Sequence, residues 1–506
     1  MAVSRCRTFT LLGLEALTVT VEVDIAPADK PTLVIVGLPD SAVKESKDRV
    51  LTALKNVGYP LGSQHCTVNL APGHLRKEGA CYDLPIALGI VLAMEKINSG
   101  IQLDNYFIAG ELSLSGELRP IAGALSLAML AQKHKAQGLL IPLENAPEAS
   151  VTTKLNIYPF TNLKEAIAFL INPKNYQPYL LKNSSQQHQN HIPPVDLQTV
   201  RGQYAAKRAL EITAAGGHNL IFSGPPGSGK SLLAKALISL LPPLTLQEAL
   251  ESTKIHSIAR MLPTDTNLLY HRPFRAPHHT ISYAGLVGGG NIPRPGEISL
   301  AHNGILFLDE LPEFSRSVLE VLRQPLEDRL VTISRARQQV TYPCSILCIA
   351  AMNPCPCGYT GHPTKACKDT DIQKQRYLQK ISGPLWDRFD LFLTVPPVSY
   401  QEMHQAPTGE TSATVRQRVI QARERQYARY GEGKTNAMLT RSQLDSHCKL
   451  DTESHAILKQ AMEEMHLSAR AADRILRVGL TIADLANSPL CPEHLMEALS
   501  YRKATT

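Results

Sequence analysis

The run GPPGSGKS, made of Gly224, Pro225, Pro226, Gly227, Ser228, Gly229, Lys230 and Ser231, constrains this chain more than any other stretch. It fills G-x-x-x-x-G-K-[ST] completely, follows the apolar run NLIFS and precedes the helix-like SLLAKALISLL. That strand–loop–helix setting is what identifies a P-loop. Glycines there let backbone N–H groups turn inward on a polyphosphate, at the positive end of the following helix. Lys230 is expected to reach the β- and γ-phosphates of ATP, and Ser231 to ligate Mg2+.

A P-loop needs a buried parallel sheet to carry it. NLIFSG, GILFLDE, CSILCIAAMN and LFLTVPP are short apolar runs that end in polar residues, as strands covered on both faces do. GILFLDE (304–310) ends in Asp309, expected to hold the metal through water, and Glu310, expected to act as the base on the attacking water. The second carboxylate argues for hydrolysis rather than nucleotide sensing. CIAAMNP ends its strand in Asn353, and SGPLWDRFDL (382–391) carries Arg388 just before another strand.

At 506 residues the chain is too long for one core. Residues 1–170 read as mixed α/β, with strand-like LTVTVEVDIA and TLVIVGLP ahead of the helical SAVKESKDRVLTALKNVG. Residues 171–196, rich in Asn, Gln, Ser, His and Pro, read as a linker; 197–397 hold the P-loop α/β core, and 398–506 are helical. A net charge of +7 is only mildly basic and does not by itself indicate an acidic partner. No amino-terminal signal pattern stands out, and no run approaches the roughly 18 apolar residues that cross a bilayer. With scattered cysteines the expectation is reduced thiols, a cytoplasmic location and no membrane partner.

Other stretches carry chemistry with alternatives left open. RKEGACYDLP puts Cys81 at the start of an apolar helix, where the helix dipole lowers a thiol pKa, as at a nucleophile. CPCGYTGHPTKACKD (355–369) brings Cys355, Cys357 and Cys367 close enough for a structural Zn2+ site completed by Asp369 or His362, or for three reduced thiols in a proline-rich loop. In the insertion 272–304, His278 and His279 are expected to point apart, with no carboxylate at helical spacing, which argues against a metal there. LVTIS and QQVTYP read as a hairpin with Arg335 and Arg337 near its turn, either tracking DNA phosphates or solvated. The helix RQRVIQARERQYARY likewise reads as phosphate-binding or as solvated surface.

Together these motifs resemble an AAA+ ATPase of the helix-2-insert branch, and the insertion 272–304 closely resembles the magnesium-chelatase ATPase subunit. The resemblance implies that Asn353 is sensor 1 and that Arg388 is an arginine finger acting on a neighbour's nucleotide, so that the chain forms a homo-hexameric ring. It implies a helical lid in which Arg470 of LSARAADR is sensor 2, with Arg474 as the alternative, and it places the hairpin before sensor 1 in a central channel. IVGLPDSAVKESKDRV, VNLAPGHLRKEG, PFRAPHHT, FLDELPEF and AAMNPCPCGY extend the resemblance over the whole chain, to the YifB/ComM family of magnesium-chelatase-like proteins. What this implies is a DNA helicase driving branch migration in natural transformation, on single-stranded and branched DNA without sequence preference. The alternative is a chelatase-like, ATP-driven protein remodeller. Relatives usually carry arginine where this chain has Leu480.

The first domain resembles the Lon proteolytic domain, of ribosomal-S5-like topology. Cys81 falls on the catalytic serine and Leu125 on the catalytic lysine, while Lys133 lies too far along to replace it. A nucleophile without a base in reach is weak. Cys81 is therefore expected to be a packed residue in a domain that is not a protease.

Overall fold

The computed structural model describes residues 3–502 except 96, 98, 153, 181–194, 264–265, 291–292, 336–337 and 399–408. The chain divides into two compact units, Met1–Ser185 with Ala249–Leu269, and Gln186–Glu248 with Tyr270–Thr506.

The first unit is built on a mixed seven-stranded sheet. Its strands run Thr32–Val36, Gln64–Ala71, Glu15–Pro27, Ser4–Leu12, Tyr106–Ile108, Gly138–Pro142 and Ile157–Phe160. Glu15–Pro27 alternates as its sequence dictates, burying Val19, Val21, Val23 and Ile25 on one face. Helix Ser41–Asn56 starts where the Asp40 carboxylate accepts the Val43 N–H at 2.8 Å, and it buries Val43, Val50 and Leu54 against the core. Helix Asp83–Ala93 is buried continuously from Asp83 to Val91. Its one charge, Asp83, is neutralised by Arg49 at 2.8 Å and also accepts the Leu112 N–H.

The second unit carries a five-stranded sheet in the order Phe274–Arg275, Ile305–Leu308, Leu347–Met352, Leu220–Ser223, Leu391–Thr394, with every pair parallel. Four of these are the strands expected from the apolar runs; the fifth is a two-residue edge strand. Ser223 lies opposite Met352 and Thr394, and Leu308 opposite Ala350. Gly224, Asp309 and Asn353 therefore leave the sheet at the same carboxyl edge, where open parallel sheets place their ligands.

Leu330–Arg335 and Gln338–Pro343 form the expected antiparallel hairpin, with Arg335 opposite Gln338. Arg337 lies outside the described residues. After the sheet come helices Ser412–Tyr430, Arg441–His447, Thr452–Glu464, Ala469–Ala486 and Pro492–Ser500. The arginines of the first of these are partly solvated, with side-chain exposures of 38% for Arg418 and 31% for Arg429, but they are also paired. Arg423 is buried and donates to the Ala214 carbonyl at 2.9 Å; Arg416 donates to the Ser239 carbonyl, Arg418 pairs with Glu211 and Glu410, and Arg429 with Asp484. These arginines fasten the helix to its neighbours, because guanidinium groups satisfy backbone carbonyls that a packed helix would otherwise orphan. Leu480 lies buried in Ala469–Ala486, where a leucine packs. Among the described residues no helix is long and apolar enough to cross a membrane.

Candidate active site

The P-loop backbone takes the shape its glycines allow. Gly227 and Gly229 have φ of +78° and +90°, and a Cβ on Gly224 would lie 2.2 Å from the Val395 carbonyl oxygen. Helix Lys230–Leu240 begins immediately after, so its unpaired N–H groups face the loop. Lys230 is only 8% exposed; its ammonium donates to the carbonyls of Gly224 at 2.7 Å and Pro225 at 2.9 Å. Burial lowers its pKa, while Asp309 and Glu310 oppose that shift. The Ser228 hydroxyl is buried and has no hydrogen-bond partner among the described residues.

Four of the sequence-designated residues converge here. Ser231 Oγ donates to Asp309 Oδ2 at 2.8 Å, and Asn353 Oδ1 lies 3.4 Å from the Lys230 Nζ. A hydroxyl and a carboxylate in contact at a helix N-terminus, beside an ammonium and an inward-turned glycine loop, fit a nucleotide polyphosphate with its magnesium. Glu310 follows Asp309 with φ +53°, and its carboxylate lies 3.2 Å from His279 Nδ1. That contact was not anticipated, and the expectation for the paired histidines is corrected. Segment 276–281 is neither helix nor strand, and the rings of His278 and His279 do not point apart but lie side by side, with centroids 4.1 Å apart and planes tilted by 33°.

Arg388 and Arg470 come together elsewhere. They line a cavity of about 420 Å3 with Arg329, Arg441, Arg474 and Arg477, and no P-loop residue lines it. Arg388 is tied to Glu327, and Arg474 lies 3.6 Å from Asp390. Arg470 is exposed. Burial disfavours the charge on Arg329 and Arg477, against the attraction of Asp390. Glu327, Asp390 and Asp473 line the same cavity and lie against Arg388, Arg474 and Arg441, so the six arginines face three carboxylates and leave an excess of positive charge, which suits an anionic ligand.

A second cluster adjoins the P-loop. The sulfurs of Cys355, Cys357 and Cys367 stand 3.4, 3.6 and 3.7 Å apart, and Cys367 Sγ is 3.8 Å from Asp369 Oδ2. All four donor atoms lie within 4.8 Å of one another. A tetrahedral thiolate site with metal–sulfur bonds near 2.3 Å has sulfur–sulfur edges of about 3.8 Å, so the group can hold a metal. Asp369 belongs to the group; His362 instead accepts backbone N–H groups of Thr364 and Lys365. The loop packs on the P-loop, since a Cβ on Gly358 would meet Pro226 Cδ at 2.7 Å.

In the first unit Cys81 sits in the turn Ala80–Tyr82 and packs against two apolar clusters. Burial, with Asp83 adding to it, pushes its thiol up to about 12, opposite to the shift a nucleophile needs. Leu125 is fully buried and Lys133 is exposed.

Three family profiles match the chain: "Magnesium chelatase, subunit ChlI" over residues 196–403, "Subunit ChlI of Mg-chelatase" over 21–145, and "Magnesium chelatase, subunit ChlI C-terminal" over 409–502. The chain is 44% identical over 501 residues to the competence protein ComM of Haemophilus influenzae, covering 97% of this chain and 96% of that one. It is 43% identical over 505 residues to the uncharacterised protein YifB of Salmonella typhimurium, covering 99% and 97%.

Proposed function

This chain belongs to the magnesium-chelatase-like family that includes YifB and ComM, and from that premise we propose that it is an ATP-hydrolysing motor acting on DNA. The observation that carries the hydrolytic part is the convergence of Lys230, Ser231, Asp309 and Asn353 at one sheet edge. Gly224 to Gly229 and Lys230 bind the polyphosphate, and Ser231 and, through water, Asp309 would hold a Mg2+ that would neutralise phosphate charge. Glu310 takes the proton of the attacking water and Asn353 orients that water. The cavity lined by Arg388, away from the P-loop, fits a ring, a homo-hexamer, in which Arg388 meets the neighbouring copy's nucleotide, while Arg470, or Arg474 beside it, serves as sensor 2 in a lid formed by the last five helices. Residues 1–170 are read as a Lon-like domain retained for its fold, and the protein as cytoplasmic. Zinc is the metal we assign to Cys355, Cys357, Cys367 and Asp369, with a structural role beside the P-loop.

DNA as the substrate is supported by the relative named as a competence protein. The hairpin bearing Arg335 and Arg337 is its proposed contact, and branch migration the proposed work. The test is the ATPase rate of the purified protein with and without single-stranded and branched DNA. Strong stimulation is expected. A flat response with hydrolysis intact would replace DNA with a protein partner, as for a chelatase-like remodeller.

A further inference from the structure

The residue that meets the Glu310 carboxylate comes from the insertion, not from the P-loop or its strands' motifs. His279 lies just beyond the edge strand Phe274–Arg275, which pairs in parallel with Ile305–Leu308, the strand that ends in Asp309 and Glu310. Parallel neighbours send their following residues to the same edge, which puts His279 Nδ1 3.2 Å from Glu310 Oε2. Two rings flank the imidazole. The ring of His278 lies beside it with the planes tilted by 33°, and Phe314 meets it edge-on at 78° with centroids 6.4 Å apart. Phe314 is itself 3% exposed and belongs to the turn that Glu310 opens, closed by Glu313 N–H to the Glu310 carbonyl at 2.7 Å. The Glu310 backbone is thus held by its own turn, while its side chain, half in solvent, is met by an imidazole that is only about a third exposed. His278 has another partner, its Nδ1 standing 2.9 Å from the Thr280 hydroxyl.

We propose that His279 is a positioning residue for Glu310. Its Nδ1–H donates to Oε2 and fixes the carboxylate rotamer, leaving Oε1 to receive the proton of the attacking water. A base must sit within hydrogen-bond reach of the proton it takes, and a glutamate free to rotate in solvent spends little time there. This inference rests on the reading of Glu310 as the base. It also gives the insertion 272–304 a role in turnover, through the contact of His279 with Glu310.

The experiment is steady-state ATP hydrolysis with nucleotide binding measured alongside, on His279→Ala, His279→Asn, Glu310→Gln and the double variant His279→Ala/Glu310→Gln. Asparagine places an N–H donor close to the position of Nδ1. His279→Ala is expected to lower kcat about 10- to 100-fold while KM and nucleotide Kd stay within about twofold. His279→Asn is expected to recover most of that loss. On the Glu310→Gln background His279→Ala should add nothing, because the group it positions is no longer a base. Unchanged or raised kcat in His279→Ala overturns the proposal, as does an equal loss on both backgrounds. If Glu310→Gln itself turned over normally, the base assignment would fall first; a dead Glu310→Gln beside a normal His279→Ala would sink only the present inference.

Discussion

Two segments of this protein have the same local plan, a glycine at positive φ leading into a buried helix, and opposite chemistry. Gly229 opens helix Lys230–Leu240, and Gly79, at φ +85°, leads through Ala80–Tyr82 into Asp83–Ala93. At the first, polar groups from the helix and from two strand ends arrive together: Ser231 with Asp309, Lys230 with Asn353. At the second, what arrives is apolar. Cys81 packs into hydrophobic clusters, the position expected to hold a base is a buried Leu125, and Asp83 is closed by Arg49. The turn-and-helix plan sets the backbone; the reactivity depends on what the neighbouring strands deliver to it.

That contrast can be broken at either end. The largest effect is expected from Glu310→Gln, with ATP turnover down roughly 100- to 10,000-fold and nucleotide titration unchanged; normal turnover would remove the base from the first site. Lys230→Ala should weaken nucleotide binding about 10- to 100-fold, read by titration with a fluorescent analogue. Asp369→Ala sharpens the account of the loop beside the P-loop. Zinc per chain, measured by elemental analysis, should fall from about one to well below it, since structural sites use four ligands. Cys81→Ala should do least: ATP turnover and casein cleavage as in wild type, and a stability loss of about 1 kcal/mol in chemical denaturation. Loss of a peptidase activity in that variant would make the two segments chemically alike.

Much of the second unit was legible because its strands are short apolar runs ending at the residues that carry chemistry. NLIFS and GILFLDE declare both the sheet and Lys230, Ser231, Asp309 and Glu310. The edge strand Phe274–Arg275 is too short to leave a pattern, and with it went the register that sets His279 on Glu310. The helix RQRVIQARERQYARY was legible as a helix but not in its partners, because helical spacing says which residues share a face and nothing of what that face meets. Arg423, buried against the Ala214 carbonyl, is the clearest case. Cys355, Cys357 and Cys367 declared a cluster, whereas the choice of Asp369 over His362 needed the folded loop.

The central claim, a motor that moves DNA with the energy of ATP, is tested most directly by branch migration of a synthetic four-way junction, with Glu310→Gln in parallel. The wild-type protein with ATP and Mg2+ is expected to resolve the junction into its duplex products, while Glu310→Gln binds the junction and leaves it unmoved. A junction left intact by wild-type protein that is hydrolysing ATP would contradict the account.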